Sequence, residues 1–570
     1  MDFKESIANL MISYVDKDVA LGQIVVAPNG MGDFAFPCFV LAKQLQKNPL
    51  EISKQIEKEL MFNLPEFLEK VVAVGPYINF FINKSTLSNK VLANIFDSKE
   101  FEKLGSGKVM VEYSAPNTNK PLHLGHLRNN VLGLAISNLL DATGHNVIKA
   151  NLVNDRGVHI CKSMLAYQKY GEGKTPESEG MKSDHFVGKM YVLFNEKLKE
   201  NPTLEEEAQA MLKKWEDGDK ETIKLWKKMN KWAIDGMKTT YNNYGTKFDE
   251  WFLESELFAN GNKDEIIKEG LDKGVFQKED NGAISAILED VGLPNKILLR
   301  GDGTSLYATN DLMLTQAKFE KFKLDKAIWV VANEQDLYFK QLFKIFEKLG
   351  RSWAQNCFHL SYGYVSLTTG KMKSREGTVV DADDLLTEIY TLAKTEVDAR
   401  YIDLKEAEKA KRAKAIAQGA IKFYLLKNDA KKDMVFDPKE SLSFEGETGP
   451  YLQYTYARAK SILRKAKKDG KKYTAKNFDL LKEDKEKELI TELGNFDLAI
   501  KKSWEQLSLH PLAHHLLAIA EKFNSFYHEI NVLNSNSQEL LNARLSLIEA
   551  TTKILAKGFL ILDITALEEM

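Results

Sequence analysis

The chain is poor in cysteine. Its 570 residues include three, Cys38, Cys161 and Cys357, far apart and none in a CxxC pair. That argues against a disulfide framework and a thiolate zinc centre, and it suits a reducing cytoplasm. Net charge is nearly absent: 79 Lys and Arg stand against 81 Asp and Glu, a sum of −2. A nucleic-acid surface must therefore come from local clustering. No run approaches the roughly 18 apolar residues of a membrane span, so no membrane partner is expected. The start, "MDFKESIANLMISYV", carries Asp2 and Glu5 and lacks the apolar core of a signal peptide. Repeats and long low-complexity tracts are missing as well. "GSGK" at Gly105 to Lys108 fails as a phosphate-binding P-loop, because the upstream glycine is missing and Val109 stands where Ser or Thr is needed.

What is present is a globular balance, 44% hydrophobic and 28% charged, and a length that suggests about four domains of ordinary size. The pattern resolves three blocks. Residues 1–105 combine helical patterning ("FPCFVLAKQLQ", "PLEISKQIEKEL") with a β-like run, "KVVAVGPYINFFIN". Residues 106–448 open with a strand, "KVMVEYS", and a loop punctuated by Pro116 and Pro121. A helix follows from about His123, with Leu124, Leu127, Val131, Leu134 and Ala135 on one apolar face. Gly144 ends it, and "NVIKANLV" reads as a second buried strand. That βαβ unit seeds a parallel sheet with a ligand crevice at its strand ends. "AIWVVAN" and "CFHLSYGYVSL" supply later strands between long, charged, helical insertions. Residues 449–570 are helix-periodic and predict an all-α bundle.

The most concentrated chemistry lies in "APNTNKPLHLGH". His123 and His126 share one face of the first helical turn. Backbone N–H groups and the macrodipole attract anions there. Imidazoles donate to phosphate oxygens, Gly125 leaves room for a flat ring against the backbone, and Lys120 adds a charge. On its own, HxGH is an ordinary helix cap. As half of a metal site it lacks further ligands. A second cluster, "GKMKSREGTVV" from Gly370, is on its own a solvated charge run.

Together and in this order, the two segments resemble the "HIGH" and "KMSKS" signatures of class I aminoacyl-tRNA synthetases. "VEYSAPNTNKPLHLGHLRNNVLG", "NLVNDRGVHI", "LRGDGTSLYATNDL", "VANEQDLYFKQLF" and "GPYLQYTYARAKSIL" resemble blocks of the arginyl-tRNA synthetases over essentially the full length. The resemblance implies a Rossmann-like α/β class I core with helical insertions, preceded by a small α+β domain that binds the tRNA elbow and followed by a helical anticodon-binding domain. It implies ligation of L-arginine to tRNA(Arg) through an arginyl-adenylate, with ATP and Mg2+ as the substrate complex and no bound zinc, in a monomer. His123, His126, Lys120 and Lys371 are implied as catalytic, with the motif running from Pro116 to His126. ATP falls to His123, Gly125, His126, Lys371, Met372, Lys373, Ser374 and Arg375.

The family implies Glu112 and Asp311 as the carboxylates for the guanidinium, a planar fork that carboxylates grip bidentately. Tyr307 walls the side chain, Asn117 and Gln335 take the α-amino group, and His123 lies near the carboxylate. Read without the resemblance, Glu112 is a strand-end surface acid and Asp311 a helix-start acid. Ser374 stands where the second signature has its second lysine; Lys120 or Lys373 supplies that charge. For tRNA, the resemblance implies Tyr77, Asn79, Tyr454, Arg458 and Met570. The tract Ala457 to Lys476 carries nine Lys or Arg against one acid, Asp469. Cysteinyl-tRNA synthetases share the architecture but grip a thiol with zinc, which the cysteine spacing does not offer. A nucleotidylyltransferase acting without tRNA leaves both flanking blocks without a purpose. A silent tRNA-binding paralogue does not need the intact His123, His126, Lys371, Glu112 and Asp311.

Overall fold

The structure, a computed structural model, describes residues 3–28, 30–98, 100–256, 263–368 and 380–570. The chain forms two compact units. One comprises Met1–Lys99, Arg458–Phe496 and Ala518–Leu555; the other comprises Glu100–Ala457, Asp497–Leu517 and Ala556–Met570. Their limits fall inside the helices Gly449–Lys468, His510–Glu529 and Gln538–Leu562.

The smaller unit is built on β1 (Val25–Val26), β2 (Phe34–Pro37), β3 (Leu68–Val74) and β4 (Tyr77–Ile82), antiparallel in the order β1-β2-β4-β3. The β-like run is thus a hairpin, turned at Gly75 and Pro76. The stretch read as helical from Phe36 begins instead as β2, because the backbone before Pro37 is restricted to extended conformations; its helix covers Phe39–Leu45. Helix Pro49–Phe62 starts where it should, with Asn48 accepting from the Leu50 N–H and proline in the first turn. Its Ile52 and Ile56 are buried, as are Phe36, Val71, Ile78 and Phe80 of the sheet. Late segments complete this unit: Lys84 Nζ lies 2.8 Å from Asp484 Oδ1, and Phe96 stacks on Phe478.

The larger unit contains the expected βαβ element. β5 (Lys108–Glu112) pairs in parallel with β6 (Asn146–Val153), and helix Leu124–Ala142 connects them. With β7 (Glu250–Leu253), β11 (Lys326–Ala332) and β12 (Cys357–Tyr362) they form a five-stranded parallel sheet, ordered β12-β11-β5-β6-β7. The chain builds outward from β5 to β7 and then returns to the other side of β5. The topological switch therefore lies between β5 and β11. A three-stranded antiparallel sheet of β8 (Phe276–Lys278), β9 (Ile284–Ala286) and β10 (Lys296–Leu299) stands apart. Between β6 and β7, helices Val158–Tyr170, Ser183–Glu200, Leu204–Glu216 and Lys220–Tyr244 bury a core of their own around Met164, Phe186, Phe194 and Met229.

"CFHLSYGYVSL" is not one strand. It divides at Gly363, and Val365–Leu367 forms β13, paired with β14 (Met434–Phe436). Arg128 explains the break. Its fully buried guanidinium donates to the carbonyls of Gly363 (2.6 Å), Tyr364 (2.8 Å), Ala430 (3.0 Å) and Lys432 (2.7 Å). Helix Gly449–Lys468 enters against helix Glu406–Leu426 at two glycines: a Cβ on Gly449 would stand 2.2 Å from the Gly419 oxygen. Among the described residues, no helix is long and apolar enough to cross a membrane.

Four carbonyls that accept from one buried cation make Arg128 a stability determinant, since hydrogen bonds to charged groups are worth about 1.5–3 kcal/mol each. Arg128→Met is expected to lower the melting temperature by several degrees, and Arg128→Lys, which keeps the charge but reaches fewer carbonyls, by less. Equal melting of wild type and Arg128→Met, followed by tryptophan fluorescence, would contradict this.

Candidate active site

The site is assembled where β5 ends. Glu112 is its last residue, opposite Ala150 of β6 and Trp329 of β11. The chain then turns sharply. Ser114 and Ala115 both have positive φ, 79° and 46°, a conformation that costs a side-chain-bearing residue on the order of 1–3 kcal/mol. Two buried amides hold it: Asn129 Oδ1 accepts the Ser114 N–H at 2.6 Å, and Asn151 Oδ1 accepts that of Ala115 at 3.2 Å. Asn117 then bridges to Asn154, extending the parallel pairing beyond β6.

The histidines cap the next helix. Nδ1 of His123 accepts the Gly125 N–H at 3.1 Å, and Nδ1 of His126 accepts the His123 N–H at 3.2 Å, a reciprocal capping box. The cap reading of the sequence is therefore correct, and it has a chemical consequence. With each Nδ1 accepting, the ring proton sits on Nε2, so both rings are neutral donors. Burial, reinforced by Lys120, lowers His123 to about 4. Burial, then His123 and Lys120, holds His126 well below the usual range. The ring centroids are 3.9 Å apart. Gly125 is required here, because a Cβ would lie 3.0 Å from the His123 ring itself.

Across the switch point lies an acidic group. Glu112 is buried, not a surface acid, and is ion-paired with Lys318 Nζ, itself only 3% exposed. Asp311 accepts from the Tyr338 hydroxyl. Burial pushes its carboxyl up to about 6; Glu112 adds to the rise, while Tyr338, Lys318 and Lys296 oppose it. Glu254, just past β7, is raised to about 7, first by burial and further by Asp155 and Asp311, against Arg156. Tyr307 opens helix Tyr307–Phe322 and is 73% exposed. Gln335, exposed, caps helix Asp336–Lys348 immediately after β11. Glu112, the capped histidines, Asn117 and Gln335 lie on segments leaving the carboxyl ends of β5 and β11 or starting the helices beyond them, the place where open α/β sheets bind ligands; Asp311 lies on the helix after β10, close enough to Glu112 for their charges to interact.

Three family models match this chain in order: the arginyl tRNA synthetase N-terminal domain over residues 1–82, the class I (R) tRNA synthetase catalytic domain over 87–438, and the DALR anticodon binding domain over 452–570. The arginine–tRNA ligase of Treponema denticola is 45% identical, with 95% of this chain and 93% of that protein aligned. The chain belongs to the arginyl-tRNA synthetase family. The solved arginyl-tRNA synthetase of Thermus thermophilus superposes with a TM-score of 0.83 at 28% identity, covering 100% of this chain and 99% of that one. The enzyme from Plasmodium falciparum, at 18% identity and a TM-score of 0.76, shares the fold. The Rossmann-like class I core, the N-terminal domain and the helical C-terminal domain are thereby shown.

The remaining family positions are placed as follows. Tyr77 is exposed and edge-on to Phe39, whereas Asn79, on the same face of β4, is buried between its partners Ala35 and Val72. Tyr454 and Arg458 lie one turn apart on helix Gly449–Lys468. Tyr454 is half-buried against Phe444, and Arg458 donates to Asn524 Oδ1 at 2.7 Å. Met570 is half-buried. Lys371, Met372, Lys373, Ser374 and Arg375 lie outside the described residues. Sequence reasoning missed Lys318, Tyr338 and Glu254. Lys318 follows Asp311 by seven residues, two turns along one helix face, a spacing that could have revealed it.

A carboxyl raised by burial favours the fold below its ordinary value and burdens it above the raised one. Asp311→Asn is therefore expected to raise the melting temperature at pH 7–8, with the gain fading as pH falls from about 6 and gone below about pH 4. A pH-independent difference would contradict the shift.

Proposed function

We propose that the chain joins L-arginine to ATP at this site, forming arginyl-adenylate and pyrophosphate, and then transfers the arginyl group to tRNA(Arg) with release of AMP. The observation that carries this reading is the pair of neutral Nε2–H donors on one helix start, just beyond the strand end that holds the buried acid Glu112. The arginine carboxylate attacks the α-phosphate of ATP, which enters as its Mg2+ complex. No covalent enzyme intermediate forms, so the protein contributes positioning and charge stabilisation. His123 and His126 donate to phosphate oxygens as negative charge builds. Because both rings are already neutral, they keep this role across the physiological range. Lys120 and the segment Lys371 to Arg375, with its Met372, Lys373 and Ser374, supply positive charge toward the phosphates; Gly125 lets the His123 ring lie flat.

Asp311 and Glu112 grip the guanidinium, Tyr307 covers it, and Asn117 and Gln335 hold the α-amino group. The charge of Asp311 suits a permanent cation, and its buried partner Tyr338 fixes its orientation. We assign three functional domains, 1–105, 106–448 and 449–570, supported by the order and spans of the matching family models. In this scheme Tyr77 and Asn79 meet the tRNA elbow, and Tyr454, Arg458 and Met570 meet the anticodon, where splayed bases stack on aromatic and guanidinium planes. We place the enzyme in the cytoplasm as a monomer without bound zinc; its three cysteines are free thiols.

His126→Ala is expected to lower the maximal rate of charging by roughly 10²–10³-fold with little change in KM for arginine. Asp311→Asn should raise that KM while ATP affinity holds. Glu112→Gln is expected to weaken arginine use too, and additionally to destabilise, since it strands Lys318. Arginine-dependent ATP–pyrophosphate exchange is expected only when tRNA is added. Robust exchange without tRNA would refute that dependence and leave arginine ligation intact. Unaltered charging by His126→Ala would refute the site.

A further inference from the structure

The helical insertion between β6 and β7 reaches the histidine cap through a polar cluster that the reaction itself does not use. The first described residues after the second signature are annealed to the first. The Leu124 N–H donates to the Val380 carbonyl at 2.9 Å, the Ala382 N–H donates to Leu122 at 3.0 Å, and Asp381 bridges antiparallel to His123. Asp381 also caps helix Ala382–Arg400, accepting from the Asp383 and Asp384 N–H groups at 2.8 and 3.2 Å. This short segment makes further contacts as well.

The insertion supplies them. Lys182 Nζ donates to Asp383 Oδ2 at 2.6 Å, to Asp184 Oδ2 at 2.9 Å and to Thr240 Oγ1 at 2.6 Å. Thr240 Oγ1 lies 3.1 Å from Asp383 Oδ2, and the Tyr244 hydroxyl donates to the Ala382 carbonyl at 2.6 Å. His185 Nε2 stands between two carboxylates, 3.4 Å from Asp381 Oδ2 and 3.3 Å from Asp383 Oδ2. That nitrogen is buried, and neither contact has hydrogen-bond geometry, so the pairing is one of charge. Three acids, Asp184, Asp381 and Asp383, thus meet two basic side chains, Lys182 and His185. Lys182 already fills the position a bound cation would take, so the cluster reads as a joint and not as a metal centre.

We propose that His185, in its protonated form, is a positioning residue for adenylate formation: its charge clamps Asp381 and Asp383 and so holds His123 and the foot of the second signature in one register. Both contacts fall on Nε2, which carries at most one N–H in either form, so what the imidazolium adds is a positive charge shared between the two carboxylates. Without it, Asp381 and Asp383 face each other with Lys182 as the sole cation, and the strand at Val380–Ala382 loses its tie to the insertion. The carboxylates raise the His185 pKa above its ordinary value against the opposing effects of burial and Lys182. The sign follows from that rise. The clamp is complete below the ordinary histidine value and is lost as pH climbs through the raised one.

The inference rests on the proposed adenylation, so the test carries a control. His185→Gln keeps a donor of similar reach but no charge. In tRNA-supplemented exchange with the full-length protein, it is expected to lower kcat by roughly 3- to 30-fold near pH 7, with KM for arginine unchanged. The deficit should shrink as pH climbs through the raised value, where the wild-type ring loses its charge as well. The difference in melting temperature between the two proteins should shrink over the same range. His126→Ala is measured alongside. Full-rate His185→Gln beside a crippled His126→Ala overturns the clamp alone, whereas full rates in both overturn the reading of the site. A kcat deficit that is constant with pH, or one that appears only in KM for arginine, also overturns the clamp. Loss of the folded state in His185→Gln at a pH where the wild type has lost that charge and stays folded does so too.

Discussion

Buried polar groups must be satisfied, and one helix carries most of that obligation. Leu124–Ala142 buries Arg128, Asn129 and Asn130 within two turns of its start, in the middle of a parallel sheet system. Arg128 binds four carbonyls on two separate chain segments. Asn129 takes the strained Ser114 amide on one side and the Val330 carbonyl, at the end of β11, on the other. A guanidinium donating to four carbonyls tolerates burial; without it the Gly363 and Lys432 carbonyls would lose that partner, while those of Ala430 and Tyr364 would keep the Gly363 and Met434 N–H groups. The helix start is thereby fixed relative to β5, β11 and the segment around Gly363, and the histidine cap inherits that rigidity.

The cap turns a stability device into a chemical one. In an ordinary capping box a short oxygen-bearing side chain satisfies the first amides. Here two imidazoles do it, and the nitrogen that caps determines which nitrogen is left to donate. Burial then removes the competing protonated form. Donors that need no protonation event, held by backbone hydrogen bonds, fit a reaction in which charge moves through phosphate oxygens. The opposite environment prevails around Asp311 and Glu254, where clustered acids in a low-dielectric setting push each other upward. A carboxylate cluster of that kind burdens the fold and is relieved by a cationic ligand, the usual trade between stability and function.

Much of this was legible in the sequence. The βαβ unit, the strand at Ala327 and the helical C-terminal stretch follow from hydrophobic periodicity, a local property that burial on one face imposes directly. His123 and His126 stood out by motif and chain order, whereas Glu112 and Asp311 were marked only by the family resemblance. What was not legible depends on contacts distant in sequence. Lys318 is one of many lysines until the helix register brings it under Glu112. The run at Cys357 reads as one strand because nothing local reveals that Arg128, 235 residues away, draws the Gly363 carbonyl out of it. Residues 458–496 and 518–555 read as part of one terminal bundle, although they pack with the first hundred residues of the chain.

The sequence by itself determined the family and the order of the domains, because these rest on residue types and spacings that the chain carries without folding. Only the tertiary structure decided which histidine nitrogens donate, that Glu112 already has an internal partner, and that His185 sits between two carboxylates. Each of these is a question of desolvation and of hydrogen-bond partners drawn from separate elements. Those quantities do not exist until the chain has closed around them.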